Sequence, residues 1–207
     1  MKLYFAPNTS ALASHLALDA SGLGYELVPV NFSRSEQRSA AYLALNPKGR
    51  VPLLLTAQGA LTETPAILTY IAHLAPGKRL LPLDNPWLYA KAQEFNAFLC
   101  ATLHVAHAHR MRGNRWVDDE QAILAMQRKV PQTVGDAFGQ IESAWVSGPW
   151  VLGDAYSVCD MYLFTMAQWM EADGVDPALY PRVLDHRERM GSRAEVKSAI
   201  AAELALQ

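Results

Sequence analysis

GRVPLLLTAQGALTETPAILTYIAHLA, residues 49–75, is the stretch on which the reading of the fold turns. The apolar run from Val51 to Ala57 reads as a strand, Gln58-Gly59 closes a hairpin, and Gly59–Thr62 reads as the return strand. Thr62 or Thr64 then stands near a helix cap. Pro65 falls in the first helical turn, where its missing N–H is tolerated, and the apolar spacing runs on to Ala75. This is a ββα unit. Upstream, Lys2–Phe5 and residues 25–31 read as strands around an Ala/Leu-rich helix that begins within "NTSALASHLALDA", residues 8–20. A βαβ unit of this kind predicts parallel strands joined by a right-handed crossover. Residues 33–46 read as a helix that ends at the turn cluster Asn46-Pro47-Lys48-Gly49.

Downstream the texture changes. "PGKRLLPLDNP", residues 76–86, has three prolines, one glycine and no periodicity, so residues 77–86 read as a linker. Beyond it only helical patterns occur, over roughly 87–112, 118–146, 157–172 and 178–204, the last broken near Gly191. The expectation is an α/β unit at 1–76 followed by an all-α unit at 87–207. Half of the 207 residues are apolar and 18% are charged, enough hydrophobic material for a real core. A net charge of −2 carries neither a nucleic-acid footprint nor a polybasic membrane patch. No apolar run is long enough to span a membrane, and the start lacks a signal-peptide pattern. Cys100 and Cys159 stand far apart, which makes neither a CxxC pair nor a disulfide framework, so a reducing cytoplasm is expected.

Three motifs, "NPKGRVPLLL" (46–55), "LTETPAILTYIA" (61–72) and "GDAYSVCDMYLF" (153–164), together resemble the cytosolic glutathione transferase superfamily. The resemblance covers nearly the whole chain, with the motifs in order at the expected separations. "MKLYFAPNTSALASHLAL" and "ATLH" are similar to the bacterial beta class. The fold so implied is a thioredoxin-like α/β N-terminal domain and an all-α C-terminal domain. The implied activity is addition of the glutathione thiolate to a small, largely apolar electrophile, by a homodimer.

The resemblance assigns roles that the residues alone leave open. Pro52 by itself reads as a trans proline opening a strand; the resemblance makes Val51–Pro52 cis and lets glutathione pair with the Val51 backbone as an added strand. Thr64 by itself is a plain cap with Glu63 in solvent. The resemblance makes the Thr64 hydroxyl and N–H the donors to the γ-glutamyl carboxylate, at a helix start that favours anions, and Glu63 the partner of its ammonium. Arg34 or Lys48 is expected to pair with a glutathione carboxylate. Ser157 and Asp160 form an S-x-x-D capping box, flanked by Tyr156 and Met161 at staple positions, a folding element rather than a site.

Ser10 reads first as a helix cap. In the beta class the matching position usually carries cysteine and the next serine, whereas this chain has Ser10 and Ala11. A hydroxyl cannot undergo thiol–disulfide exchange, but it can donate to a thiolate and lower the thiol's pKa. Ser10 is therefore expected both to cap the helix and to activate the ligand, with Thr9 as the alternative hydroxyl and Tyr4 packed. His104 matches a histidine lining the beta-class site. His104, His107 and His109 share no zinc spacing with a carboxylate, so no metal is expected. The basic run Arg110, Arg112, Arg115 beside Trp116 reads as a solvated helix end before it reads as a selector of anionic substrates. Ala97, rather than Asn96, takes the register of a beta-class asparagine that reaches the neighbouring subunit. His15 and His73 read as structural. A non-catalytic ligand binder, or a glutathione-dependent isomerase or ether-cleaving enzyme, would use the same glutathione half-site.

Overall fold

The computed structural model describes residues 1–206. Strand β1 (Lys2–Phe5), helix α1 (Ala11–Ser21) and strand β2 (Glu26–Pro29) form the βαβ unit, with β1 and β2 parallel. Strands β3 (Leu53–Thr56) and β4 (Gly59–Thr62) form the hairpin and lead into α3 (Thr64–Leu74). The sheet order is β2-β1-β3-β4, with β3 antiparallel to β1 and Leu53 opposite Tyr4. Leu3 and Leu54 enter the main core. On the other face Val30, Tyr42 and Leu53 form a small second cluster, to which Tyr4 adds an edge-on contact with Tyr42. Tyr4 is thus packed, as expected.

The segment 33–46 is less regular than its composition predicts. Ser35 adopts a left-handed conformation, a short 3-10 turn spans Glu36–Arg38, and only α2 (Ala40–Leu45) is α-helical. Ser39 is the reason for the late start: its extended backbone and its side chain, which accepts from the Tyr42 N–H at 3.2 Å, form a true cap. The turn after α2 is tied down by buried Asn46, whose amide donates to the Arg50 carbonyl at 2.7 Å. The Tyr42 hydroxyl donates to the same carbonyl at 2.6 Å. Gly49 closes the turn at φ +60°, and a Cβ there would stand 2.9 Å from the Gln37 carbonyl oxygen. The chain therefore emerges at Arg50 and Val51 in one fixed orientation.

The helical part comprises α4 (Pro86–Phe98), α5 (His104–Arg112), α6 (Glu120–Ala144), α7 (Val158–Ala167), α8 (Pro181–Ser192) and α9 (Ala194–Ala205). α4 and α5 are one rod joined by a π-helical turn, Leu99–Leu103, which accounts for the continuous pattern read over 87–112. The last helix breaks at Arg193, in extended conformation, two residues after the expected Gly191. Gly191 stays helical and lies close against Phe164. α7 stops short of residue 172 in a series of tight turns that end at Gly174, φ +76°. The linker is not loose: Leu80 and Leu81 are buried, and the Leu80 carbonyl accepts from the Val158 N–H at 3.0 Å.

α1 joins the two parts. It packs on α3 on one side and on α7 and α9 on the other, so a single core runs from Leu3 and Leu16 to Phe138 and Val158. His15, 2% exposed, meets Glu203 of α9 at 3.0 Å, which makes its role structural. Ala97 faces outward and Asn96 is fully buried, in keeping with the register read from the sequence. No helix among the described residues is long and apolar enough to cross a membrane.

Candidate active site

A cleft of about 280 Å³ lies between the α/β part and the rod formed by α4 and α5. Its α/β wall comes mainly from three segments, Asn8–Ser10 before α1, Lys48–Pro52 before β3, and Thr62–Thr64 at the start of α3, with Phe32, Gln37, Arg38 and Asn46 beside them. Two of these segments contain a non-glycine residue at positive φ, Asn8 at 58° and Glu63 at 73°. Such conformations persist where surrounding structure over-determines them, and they concentrate at ligand sites.

Val51–Pro52 is cis. Val51 precedes β3 and lies outside the ladder with β1, which starts at Leu53. Thr64, 5% exposed, is the first residue of α3, and Glu63 occupies the cap position without a side-chain cap bond. Thr62 and Thr64 thus stand on either side of the cap position, which Glu63 takes, its positive φ starting the turn. Lys48 Nζ bridges the two sides of this corner, 2.7 Å from Thr62 Oγ1 and 2.6 Å from Glu63 Oε1. Arg34, by contrast, is exposed outside the cleft, its N–H bonded to the Asn31 side chain. The α/β residues that face inward in its stead are Gln37, Arg38 and Arg50.

At the start of α1 the expected cap is displaced by one residue. Ser10 already has helical backbone angles (φ −62°, ψ −10°) and makes no side-chain cap bond. A capping oxygen needs extended backbone angles to reach back to a free N–H. Thr9 performs the local work instead: its hydroxyl donates to the Ala6 carbonyl at 2.6 Å and accepts from the Ala11 N–H at 3.3 Å. Ser10 lines the cleft, and among the described residues its hydroxyl makes no cap bond.

The opposite wall comes from the helical part: Cys100 in the π turn, His104 and Ala108 on α5, then Arg112, Arg115 and Trp116, with Tyr162 and Trp169 behind them. π turns inside helices are frequent at functional sites, and this one sets His104 directly after it. Burial, aided by His107, Arg112, Arg115 and Arg50, pushes the His104 pKa down to about 4. The ring is neutral at pH 7. Between pH 6.5 and 4 the unfolded chain binds a proton at His104 that the folded chain does not, so stability falls as pH falls through that window. The expected loss is roughly 3 kcal/mol, about 2.5 units at 1.36 kcal/mol per unit. Urea melts should show a shallower acid-side decline for His104→Gln; parallel declines would remove the assignment.

His107 stacks on Trp169 at 4.1 Å and pairs with Asp173 at 2.7 Å. Asp173, 3% exposed, also holds Arg110 at 2.9 Å. Arg110 is thus structural, while Arg112 and Arg115 face the cleft, so the basic run is only in part a solvated helix end. Burial pushes the Cys100 thiol up, which makes it a poor nucleophile beside a free thiolate. Tyr162, fully buried, keeps a hydroxyl with no hydrogen-bond partner among the described residues, a contributor the sequence reading missed. No three His, Cys, Asp or Glu side chains among the described residues gather in a way that could hold a metal ion.

Residues 1–73 match the glutathione S-transferase N-terminal domain family and residues 120–189 match its C-terminal domain family. Glutathione S-transferase GstA of Escherichia coli O157:H7 is 31% identical over 205 residues, covering 98% of each chain. A glutathione transferase homologue from Sulfitobacter, solved with bound glutathione, superposes with a TM-score of 0.94 at 39% identity, covering 100% of this chain and 98% of that one. A bacterial beta class enzyme from Sphingomonas chungbukensis superposes at 0.86 with 29% identity, covering all of both chains. With the thioredoxin-like sheet, the helical partner domain and the cleft between them, these likenesses show that the chain belongs to the glutathione S-transferase family, near its bacterial beta-class members, and is a glutathione S-transferase.

Proposed function

We propose that glutathione lies along the α/β wall of the cleft, and that the Ser10 hydroxyl donates to its sulfur and holds it as thiolate. The γ-glutamyl carboxylate takes the Thr64 hydroxyl and N–H at the start of α3, while its ammonium takes Glu63, sharing that carboxylate with Lys48. The cysteinyl unit pairs with the Val51 backbone, with Pro52 fixing the strand edge. The observation that carries this reading is the Ser10 side chain: it lines the cleft beside the positive end of α1 and, among the described residues, makes no cap bond that it would have to give up. Serine in place of the cysteine usual to the beta class directs the site to conjugation rather than disulfide exchange. The sulfur attacks the electrophilic carbon, a C–S bond forms, the leaving group departs with its electron pair, and the thiol proton passes to solvent. Neutral His104 lines the facing wall and can accept a hydrogen bond from the incoming electrophile or a bound water.

The site test is a glutathione isotherm. Thr64→Ala is expected to weaken binding by roughly 1–3 kcal/mol, the cost of a lost hydrogen bond to a charged group. Its melting curve should stay close to the parent's. Unchanged affinity would mean that the γ-glutamyl carboxylate is held elsewhere.

The working particle is a two-fold dimer in the reducing cytoplasm. Free Cys100 and Cys159 suit that compartment. Exposed Leu74 at the end of α3, with Trp87 and Leu88 at the start of α4, supplies apolar surface for a partner copy. Sedimentation at micromolar concentration is expected to give a dimer, and a monomer would dispose of the arrangement.

A further inference from the structure

Four guanidinium groups converge on the mouth of the cleft: Arg38 and Arg50 from the α/β wall, Arg112 and Arg115 from the helical wall. Among the described residues none of the four lies within ion-pair distance of a carboxylate, although neighbouring basic side chains have one. Lys48 has Glu63, His107 has Asp173, and Arg110, two residues before Arg112, also has Asp173. The cluster repels itself. Burial together with Arg112, Arg50 and Arg38 brings the Arg115 pKa down to about 10, and burial with Arg50 lowers that of Arg112. A folded protein that gathers unpaired like charge in a partly desolvated cleft has given up stability that only an anion restores.

Charge counting then separates the two walls. Bound glutathione brings two carboxylates, and the γ-glutamyl one is accounted for at Thr64. The glycyl carboxylate lies beyond the cysteinyl unit, on the α/β wall that carries Arg38 and Arg50. One carboxylate satisfies one or two guanidiniums, which leaves Arg112 and Arg115 without a partner. Arg112 shares the α5 face of His104 and Ala108, Arg115 reaches the same cleft from the 3-10 turn Gly113–Arg115 that follows, and Trp116 stands beside them to cover a planar group.

We infer that the second substrate is an anionic electrophile, one that carries a carboxylate which Arg112 and Arg115 hold while its reactive carbon lies towards His104 and the glutathione sulfur. This rests on the glutathione reading above, and it replaces the largely apolar electrophile expected from the sequence. The reaction is unchanged: the C–S bond forms, and the carboxylate is a handle that takes no part in bond breaking.

The test uses two probes of one shape, 4-fluoro-3-nitrobenzoate and 4-fluoro-3-nitrobenzamide, from each of which glutathione displaces fluoride. Each kcat/KM is divided by the uncatalysed rate constant for the same probe, which removes the difference in intrinsic reactivity. The parent enzyme should favour the benzoate by roughly tenfold or more in this ratio, with the preference shrinking as salt is raised. The double variant Arg112→Gln/Arg115→Gln should lose most of that preference. A parent enzyme that treats the probes alike, or favours the amide, overturns the inference without any variant having to fold. A preference that survives in the double variant overturns the assignment to these two residues. Absence of a glutathione isotherm in the parent overturns the underlying glutathione reading as well, so the two failures are distinguishable.

Discussion

Asp160→Ala is expected to cost about 3–5 kcal/mol of stability, because each buried donor left without its acceptor costs roughly 1–3 kcal/mol. Asp160 is fully buried, as is His186, whose Nε2 lies 3.0 Å from Asp160 Oδ1. The same oxygen accepts from the Val151 N–H at 2.8 Å, and Oδ2 accepts from the Ser157 N–H at 2.8 Å. Alanine would strand all three donors away from water. This is the capping box of α7, Ser157 and Asp160, present as expected and extended by two contacts that tie the preceding loop and α8 to the helix start. Domains are stable by only about 5–15 kcal/mol in total, so the variant should be largely unfolded in modest urea. Equilibrium urea unfolding with an unchanged slope and a much lower midpoint is the expected result. A loss below about 1 kcal/mol would mean that the three donors find other partners. Asp160→Asn keeps one acceptor oxygen and should fall between the two.

The second large effect is on catalysis. On the proposed role of Ser10 as donor to the glutathione sulfur, Ser10→Ala forfeits one charge-assisted hydrogen bond, worth roughly 1.5–3 kcal/mol, and should lower kcat/KM for conjugation by roughly 10- to 100-fold. Its stability should barely move, because Ser10 makes no cap bond. Thr9→Val is the contrasting change: it removes the two bonds that hold the turn before α1 and should cost about 1 kcal/mol. Equal rates for parent and Ser10→Ala at saturating glutathione would pass the activating role to Thr9 or to the α1 N–H groups. Ser10→Cys should open thiol–disulfide exchange with added glutathione disulfide, in which the Cys thiolate attacks one sulfur and releases one glutathione, visible as a gain of one glutathionyl unit by mass.

What the sequence disclosed follows from which features are local. The order of strands and helices was legible because hydrophobic period and turn residues are local properties, and the strand assignments for Lys2–Phe5 and for the hairpin at Gln58-Gly59 needed nothing else. Whether Ser10 or Thr9 caps α1 was not legible: both have a capping hydroxyl, and the choice lies in backbone angles that the Asn8 turn imposes. The inward turn of Arg112 and Arg115 was hidden for a different reason. The π turn at Leu99–Leu103 adds one residue to the rod, which rotates every later side chain by about 100° relative to a face counted from residue 87. Arg34 and Arg38 illustrate the limit for loops. Both lie in one polar segment, and only the turn of chain around Ser35 and Ser39 separates the one in solvent from the one at the cleft.

The central claim, that this chain binds glutathione and lowers its thiol pKa through Ser10, is tested most directly by thiolate absorbance of the complex against pH. The parent complex should titrate near neutrality, below the ordinary thiol value of about 8.5, and Ser10→Ala should titrate roughly one to two units higher. Superimposed curves, or a parent complex that titrates as free glutathione does, would contradict the claim.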